Sequence, residues 1–535
     1  MTPLTSRSQN CFDDAANLSP TIMRALLPEE LRPERPLPTK VAKDSQTTTD
    51  VLMPDSPAEA ERQLDAITFP PEFLLGAATA AYQVEGGLHK CNWAKWERDG
   101  LNHGHRAGKA CDVWNLFEQD VKMMKELGVR CYRFSVDWSR CEPEEESYDW
   151  EAIERYVSWC RLLRASGIEP MVTLHHFVEP EWFDSLGGWE KQENVTHFAR
   201  FVETVGARLV PHCRYWCTLN ELNGFAMCGF VGGVHPPGRR NDAIAMIVVI
   251  KNMLVAHTRA ARSIRALSAA HAEQAARETQ SGVAGAPPPR PPVICLAMSH
   301  VLFTPTPGWG LLGLLSSAIA VVVSYLFNFV YHDAVVYGAV AWPVHLIVWL
   351  VGWSRELADL KGTVDVIGVN HYYRSVVAID RDKAGGRRQA SAADLFLRLP
   401  FGFLLTAQPV DGFEKSDMGW DLTPSSMEVM LRKIWRRYQV PIFVTESGIA
   451  DGEAPDTRRT RYLSGILQMT HRLMREEGVD IRGYLLWTLL DNFEWAEGFG
   501  PRFGLFHTDF KTFNRSERSS TPMLKRLFHR GKPAQ

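Results

Sequence analysis

The sequence predicts an α/β fold, and within that class a (β/α)8 barrel, on three observations. From about residue 67 onward, eight short apolar runs recur along the chain of 535 residues. Stretches with the apolar periodicity of a helix separate many of these runs. Nearly every run ends in Gln, His, Asn, Glu or Tyr, and in a parallel barrel the carboxyl ends of the strands converge on one site. A doubly wound open sheet is the alternative.

The elements can be placed in order along the chain. The eight predicted strands are FLLGAATAAYQ, VRCYRFSVDW, EPMVTLHH, RYWCTLNE, PVICLAMSH, VDVIGVNHYY, PIFVTES and RGYLLWTLLDNFEW. Helical patterns fall at 114–128, 150–167, 189–210, 423–438 and 456–478. Strands that alternate with helices are the repeating unit of a parallel barrel.

The chain is predicted to be one barrel domain preceded by a tail. Residues 1–66 are rich in Pro, Ser, Thr and acidic residues and show few regularly spaced apolar positions, which predicts a flexible N-terminal tail. Residues 67–530 form the predicted single domain. Within that domain, 274–292 is polar and rich in proline, which predicts a surface loop.

Composition excludes some classes of partner and compartment. The chain has 59 basic and 62 acidic residues and no dense basic cluster, so we expect no nucleic-acid partner. Its ten cysteines form no CxxC pair, which indicates free thiols in a reducing compartment. The first residues lack the pattern of a signal peptide, so we expect a cytoplasmic protein.

One apolar stretch keeps membrane association open. Residues 309–330 carry no charge over 22 positions, which is long enough to cross a bilayer. A barrel whose strands pair all the way round cannot be divided between two sides of a membrane, so we expect this insertion near 305–330 to lie on the membrane surface. The alternatives are a two-span hairpin with 334–353, or a helix packed on the barrel or on a dimer partner. The oligomeric state stays open.

Two carboxylates stand at the ends of predicted strands, Glu221 in TLNELN and Glu446 in VTESG. A lone glutamate at a strand end is more often a surface charge than a catalytic group. Both of these lie within apolar runs, however, so each is expected to be partly buried and to need a role or a partner. Two such carboxylates, on strands four and seven, can face one another across a barrel, and retaining glycoside hydrolysis requires such a pair.

Seven motifs in register resemble those of family 1 glycoside hydrolases, over about residues 67–530. They are FPPEFLLGAATAAYQVEGG (69–87), YRFSVDWSR (132–140), TLHHF (173–177), TLNE (218–221), VNHYY (369–373), VTESG (444–448) and LLWTLLDNFEWAEGFGPRFGLFHTDF (485–510). The resemblance implies a retaining β-glycosidase, an O-glycosyl hydrolase, on a TIM barrel. It implies no cofactor and no metal, and a small β-glycoside as substrate.

The resemblance also implies a role for each matching residue. Glu221 matches the general acid/base and Glu446 the nucleophile, while Arg133, Tyr372 and Asn220 match residues around them. The positions that match the family's sugar-binding residues are Gln83, His176, Asn220, Trp487, Glu494, Trp495 and Phe503. The structural alternatives are that Trp487 is a core residue and that Arg133 only forms an ion pair.

Three residues depart from the family pattern: Leu222 replaces the usual Pro, Phe177 replaces Trp, and Ser447 replaces Asn. None of them removes a charge that the chemistry needs, so the reaction type is expected to hold. Glu494 stands where relatives that act on 6-phosphorylated sugars carry Ser, and its charge would repel a phosphate. The sequence therefore favours unphosphorylated β-D-glucosides, and β-galactosides or β-fucosides are compatible. The functional alternatives are glycosyl transfer to an alcohol, sugar or lipid, and carbohydrate binding without turnover.

Overall fold

The computed structural model of this chain describes eight stretches of it. They are 53–280, 290–306, 311–342, 344–350, 353–381, 395–399, 403–408 and 413–530. These parts of the predictions above lie outside the described residues: 1–52 of the tail, 281–289 of the surface loop, 307–310 of the insertion near 305–330, and 343 and 351–352 of the 334–353 segment.

A closed barrel of eight parallel strands forms the centre of the molecule. The described residues also form strands outside the barrel, and all strands are numbered together in chain order. They are β1 Leu74–Ala78, β2 Cys131–Ser135, β3 Glu169–Thr173, β4 Tyr215–Asn220, β5 Val293–Pro305, β6 Val366–Arg381, β7 Leu395–Leu399, β8 Phe403–Gln408, β9 Ile442–Ser447, β10 Ile481–Trp487, β11 Phe506–Thr508 and β12 Arg515–Glu517. Strands β1 to β6, β9 and β10 pair in parallel, and β1 closes the ring by pairing with both β2 and β10. The predicted (β/α)8 barrel is confirmed, and the open sheet is wrong because no barrel strand is left at an edge.

Two barrel strands continue past the barrel on the side of their carboxyl ends, which we call the mouth. Strands β5 and β6 stay paired as far as Pro305 and Val377. The hairpin of β7 and β8 then adds to β6 in antiparallel fashion. The barrel therefore carries an extension of β-sheet beside its mouth.

Helices surround the barrel. In chain order they are α1 Pro57–Asp65, α2 Ala81–Val84, α3 Asn92–Arg98, α4 Val113–Leu127, α5 Trp138–Cys141, α6 Trp150–Ala165, α7 Glu181–Ser185, α8 Val195–Leu209, α9 Leu222–Ala226, α10 Ala243–Gln280, α11 Leu311–Ser324, α12 Val330–Tyr337, α13 Val344–Leu350, α14 Ser354–Asp359, α15 Pro424–Tyr438, α16 Thr457–Glu476 and α17 Thr521–His529. The five predicted helical patterns correspond to α4, α6, α8, α15 and α16. Each of these buries one apolar face, as its periodicity requires; in α8 that face includes Phe198, Phe201, Val202 and Val205.

The structure corrects the ends of two predicted irregular segments. Part of the predicted tail forms α1, which the Ser56 side chain caps and whose Ala60 and Leu64 are fully buried. The Ser464 hydroxyl of α16 donates a 2.8 Å hydrogen bond to the Ala60 carbonyl. Residues 274–280 of the predicted loop instead continue α10, which is 38 residues long. Both errors arise because short polar stretches became helical where a neighbouring helix or a longer helix supported them.

The uncharged stretch is helical. Helix α11 continues through a π-helical turn, Tyr325–Phe329, into α12. It packs on the extension, where Ala320 joins Val301, Phe303 and Val377 in a small apolar cluster. By length and composition alone, Ala243–Thr279 and Gly313–Tyr337 could each cross a membrane; 56% of the apolar window of the first is buried in the protein, against 28% for the second.

Candidate active site

The predicted site residues come together at the mouth of the barrel. Arg133, Asn220, Glu446 and Trp487 lie on barrel strands near their carboxyl ends, and Tyr372 lies just after the part of β6 that pairs with β9. The others lie on connections that leave the mouth, namely Gln83, His176, Glu221, Glu494, Trp495 and Phe503. A parallel barrel gathers its carboxyl ends on one face, which explains why residues so far apart in sequence meet here.

Glu446 is held by two donors. The Arg133 Nη1 atom donates a 2.7 Å hydrogen bond to Oε1 of Glu446, and the Tyr372 hydroxyl donates one of 2.8 Å to Oε2. Arg133 is fully buried and Glu446 almost so. Burial raises the pKa of Glu446 above its ordinary value, while Arg133 and Tyr372 oppose that rise. Both oxygens of Glu446 are thus fixed in direction, and its negative charge has a buried partner.

Glu221 has a different environment. Its backbone is left-handed, at φ 45°, and its amide donates to the Ala297 carbonyl at 2.8 Å. Its carboxyl accepts a 2.8 Å hydrogen bond from Asn370 Nδ2 at Oε1. A Cβ at Gly224 would stand only 3.0 Å from Oε2, so glycine leaves room for this carboxyl. Burial, and after it the charge of Glu446, raise the pKa of Glu221 to about 8.

An amide network joins the two carboxyl groups. Arg133 Nη2 donates to Asn220 Oδ1 at 2.6 Å, and Asn370 Nδ2 lies 3.1 Å from the same oxygen. The Thr445 hydroxyl donates to Asn370 Oδ1 at 2.6 Å, which fixes the orientation of that amide. We had not predicted a role for Asn370. A signal was present, since Asn370 lies two residues before Tyr372 on one strand and therefore on the same face.

Arg133 also contacts a thiol that the sequence analysis did not single out. Its Nη2 atom lies 3.6 Å from Cys217 Sγ, and Cys217 is in register with Cys295 on the neighbouring strand. Burial alone would raise the pKa of the Cys217 thiol. The hydrogen bond with Cys295 and the charge of Arg133 outweigh burial and lower this pKa to about 6. The nine cysteines in the described part of the chain are free thiols, as predicted.

A second group of polar side chains faces the same opening. Gln83 Nε2 donates to Glu494 Oε2 at 3.2 Å, and Asn220 Nδ2 lies 3.1 Å from His176 Nε2. Burial, and after it the charge of Glu446, raise the pKa of Glu494 to about 8. Burial and the nearby Arg133 hold the pKa of His176 well below its ordinary value, so its imidazole is neutral.

Two buried polar atoms of this group have no hydrogen-bond partner among the described residues, Gln83 Oε1 and His176 Nδ1. A buried polar atom left without a partner costs about 1–3 kcal/mol. Both atoms can act as acceptors for a hydroxyl, or in the case of histidine as a donor, depending on the tautomer. The arrangement is suited to a ligand that carries several hydroxyl groups.

Aromatic rings line the opening. The His176 ring lies 5.9 Å from Trp487 and 6.1 Å from Trp495, nearly parallel to both. Phe503 is buried and packs edge-on against Tyr372 at 6.1 Å. Trp487 is 4% exposed, so it is a buried residue that keeps a small exposed area at the site. Flat apolar surfaces of this kind suit the apolar face of a sugar ring.

The three departures from the family pattern lie around Glu221 and Glu446. Leu222 is fully buried at the first position of α9. Phe177 has a left-handed backbone, at φ 67°, and its ring lies 5.3 Å from Trp495. Ser447, the residue after Glu446, is fully buried. These side chains are accommodated by packing and leave the two carboxyl groups in place.

Comparison with known proteins agrees with this geometry. The model of the family "Glycosyl hydrolase family 1" matches residues 65–282 and 350–532, and so leaves out 283–349. The β-glucosidase A of Acetivibrio thermocellus is 28% identical over 484 residues, which cover 85% of this chain and 97% of that protein. Rice β-glucosidase 34 (Oryza sativa subsp. japonica) is 27% identical and covers 86% of this chain and 92% of its own length.

Solved structures show the same similarity. The β-glycosidase from Pyrococcus horikoshii has a TM-score of 0.69 at 29% identity, covering 87% of this chain and 95% of its own. The β-glucosidase from Thermotoga maritima in complex with azafagomine has a TM-score of 0.72 at 25% identity, and the match covers 87% of this chain and 100% of that chain. With the family model matching well over half of its residues, this chain belongs to glycosyl hydrolase family 1 and is an O-glycosyl hydrolase.

Proposed function

We propose that this protein is a retaining β-glycosidase that hydrolyses unphosphorylated β-D-glucosides through a covalent glycosyl-enzyme. The observation that carries the proposal is the unequal environment of its two carboxyl groups. Glu446 accepts hydrogen bonds from a guanidinium and a phenol, whereas Glu221 accepts one from the neutral amide of Asn370. Environments that push two pKa values apart assign one group as the anion and the other as the acid.

In the first step, the Glu446 carboxylate attacks the anomeric carbon while the bond to the leaving oxygen breaks. Glu221 gives its proton to that oxygen, and a glycosyl ester of Glu446 forms. Arg133 and Tyr372 hold Glu446 ionised and aimed before the attack. Because the pKa of Glu221 is raised to about 8, this carboxyl still carries its proton at neutral pH.

In the second step, Glu446 is esterified and no longer charged. Burial still raises the pKa of Glu221, but the contribution from the Glu446 charge is then gone. Glu221, which the first step left ionised, becomes a base. It takes a proton from water, the oxygen of that water attacks the anomeric carbon, and the ester bond to Glu446 breaks. Two inversions at one carbon return the β configuration.

The sugar in the cleavage subsite is proposed to be held by Gln83, His176, Asn220, Glu494 and Trp495 above the ring of Trp487. Glu494 supports an unphosphorylated sugar, because its side chain stands where relatives that act on 6-phosphorylated sugars carry the smaller Ser, and its carboxyl can form hydrogen bonds with hydroxyls in either protonation state. The similarity to proteins named β-glucosidase favours glucosides. β-Galactosides and β-fucosides are compatible with the same set of donors and acceptors.

Azide distinguishes the two roles. Glu446→Gln and Glu221→Ala are both expected to abolish turnover of natural β-glucosides. Azide attacks a glycosyl-enzyme without help from a base, so with a good leaving group it partly restores turnover by Glu221→Ala and gives a β-glycosyl azide. Rescue of Glu446→Gln to the same β product would show that the roles are reversed.

The uncharged stretch favours a second candidate function and a location. We propose that 309–330 attaches the protein to a membrane surface, and that an alcohol, sugar or lipid can replace water in the second step. Product analysis with a chromogenic β-glucoside, with and without an added alcohol, separates transfer from hydrolysis and from binding without turnover. Fractionation of the intact chain tests the attachment, which monomeric protein found wholly in the soluble fraction would refute.

A further inference from the structure

The polarity of helix α11 and of the π-helical turn after it is the reverse of that of an ordinary surface helix. Leu315, Ala318, Val322 and Leu326 are exposed and follow one another at intervals of three or four residues, so they form one stripe along the outer face, which we call the apolar stripe. Leu315 is 47% exposed, Val322 55% and Leu326 43%. A surface helix in water normally turns polar residues outward instead.

The polar side chains of the same segment point inward. Ser316 Oγ donates to the Val377 carbonyl at 3.1 Å and accepts from the Thr306 amide. Asn328 pairs with both the amide and the carbonyl of Val301, at 2.9 Å each. Tyr325 is likewise buried, and its hydroxyl donates to Asp333. The polar groups of this segment thus form hydrogen bonds inside the protein, while its apolar groups face outward. Hydrocarbon surroundings require this arrangement.

The apolar stripe stands beside the mouth of the barrel. Helix α11 packs on the part of β5 and β6 that extends past the barrel, through Val301, Phe303 and Val377. The first two turns of α10 carry Ile244 and Ile247, which are 79% and 39% exposed. Because α10 follows the carboxyl end of β4 and α11 follows that of β5, both apolar surfaces lie on the side where the site opens.

Charge indicates what covers this surface. Residues 309–330 contain no charged side chain, so they match an uncharged hydrocarbon layer and offer no ion pair to a protein partner. Arg240 is exposed and lies just before the first turn of α10. Its positive charge at this position would attract the phosphate groups of lipids. Trp342 is 79% exposed, and tryptophan favours the boundary between lipid and water. The family model matches 65–282 and 350–532, so the apolar stripe lies in the part of the chain that this model leaves out.

We infer that the apolar stripe, with Ile244 and Ile247, docks on a lipid bilayer and holds the mouth at its surface, so that the substrates are β-glycosides whose aglycone is a membrane lipid. The inference rests on the proposed β-glycosidase function and names the substrate class of that same site. A sugar linked to lipid projects from the bilayer surface, and docking brings the mouth to it. The helix lies on the bilayer, because the closed barrel prevents a single crossing.

The test uses the full chain, phosphatidylcholine and phosphatidylserine vesicles that contain hexadecyl β-D-glucoside, and soluble 4-nitrophenyl β-D-glucoside. The stripe variant is Leu315→Asp/Val322→Asp. The control variant is Trp150→Asp/Leu186→Asp, which places the same charges on side chains that are 54% and 43% exposed, at the start of α6 and just after α7. Burying two such side chains in lipid contributes enough free energy to change binding at least about tenfold.

We expect the wild type and the control variant to sediment with vesicles, and the stripe variant to bind them at least about tenfold more weakly. Its kcat/KM on the vesicle-borne glucoside falls in parallel, while its kcat/KM on the soluble glucoside stays within about twofold of the wild type. Wild type left in the supernatant overturns the inference, as does equal vesicle binding by the stripe variant. A wild-type dimer that the stripe variant converts to monomer also overturns it, since the occupant is then a second copy.

Failure of the proposed function looks different. If the soluble glucoside is not hydrolysed, the β-glycosidase assignment fails, whatever the vesicles show. If the soluble glucoside is hydrolysed and the vesicle-borne one is turned over no faster by the wild type than by the stripe variant, the assignment stands and the lipid-borne substrate is wrong.

Discussion

Arg133 and Glu446 form a buried ion pair at the base of the mouth, with 2.7 Å between Nη1 and Oε1 and side chains 0% and 5% exposed. The pair joins strands β2 and β9, whose residues are 313 positions apart in the sequence. Arg133 also donates to Asn220 and Thr173, so its guanidinium is fixed on several sides. An ion pair with this little exposure is weakly screened by solvent, and each partner depends on the other.

Removing Arg133 is therefore expected to damage both stability and catalysis. Arg133→Met leaves the Glu446 charge buried without its cation, which costs about 3–5 kcal/mol of unfolding free energy at pH 7. We expect kcat/KM to fall at least about a hundredfold, because Glu446 is then a weaker nucleophile. Chemical denaturation and steady-state kinetics measure the two effects.

The double variant Arg133→Met/Glu446→Gln is the control. It removes both charges, so a large part of the lost stability is expected to return while activity stays absent. If the double variant is as unstable as Arg133→Met alone, the loss reflects packing and not the unpaired charge.

The pH dependence of kcat/KM follows from Glu221. This group acts as an acid, so activity is present while it is protonated and falls as pH rises through its pKa, which is raised to about 8. Activity also falls in acid, where Glu446 takes up a proton. We expect a bell-shaped profile whose alkaline limb lies near pH 8. Glu494 has a similar pKa, so the control is Glu494→Gln, in which the limb is expected to remain. Loss of the limb in that variant would assign it to Glu494.

Asn370 offers a test of what positions Glu221. Its amide donates to Oε1 of Glu221, and that hydrogen bond favours the ionised form and lowers the pKa. Asn370→Ala removes the donor, so the alkaline limb of kcat/KM is expected to move to higher pH, and kcat to fall about tenfold or more through loss of orientation. A limb that moves to lower pH would contradict this role. A merely structural residue would change stability without moving the limb.

Glu494 is expected to select unphosphorylated sugars. Glu494→Ser removes a buried carboxyl that accepts a hydrogen bond from Gln83, so kcat/KM on a β-glucoside falls about tenfold or more. It also removes a larger side chain from beside a phosphate, and above the Glu494 pKa of about 8 it removes a negative charge as well, so turnover of a 6-phosphoglucoside improves relative to the glucoside. The measured quantity is the ratio of the two kcat/KM values. A ratio that stays at the wild-type value would rule out this role.

The eight barrel strands and most of the longer helices were predictable, because apolar periodicity is a local property of the sequence. Helix α1 was not predicted. Its two buried residues, Ala60 and Leu64, are too few to stand out, and they gain a partner only when α16 folds against them. The surface loop was placed seven residues too early, because polar residues at 274–280 extend α10 into solvent without an apolar face to mark them.

The residues of the candidate site were likewise predictable only in part. Glu221 and Glu446 were identifiable because each carries its motif with it. The links between them were not, since Asn370 reaches Glu221 from β6 and Thr445 orients Asn370 from β9. Hydrogen bonds between side chains on different strands depend on register and barrel closure, and no local pattern records them.

By itself, then, the sequence determined the eight barrel strands, five of the longer helices, the presence of two carboxylates at strand ends, and a stretch of 22 residues without charge. Only the tertiary structure decided that Arg133 pairs with Glu446 and that Asn370 pairs with Glu221. It also decided that α11 turns Ser316 toward β6 and Val322 outward. The physical reason is that composition and periodicity act within one segment, whereas a partner and a buried face exist only after segments have packed together.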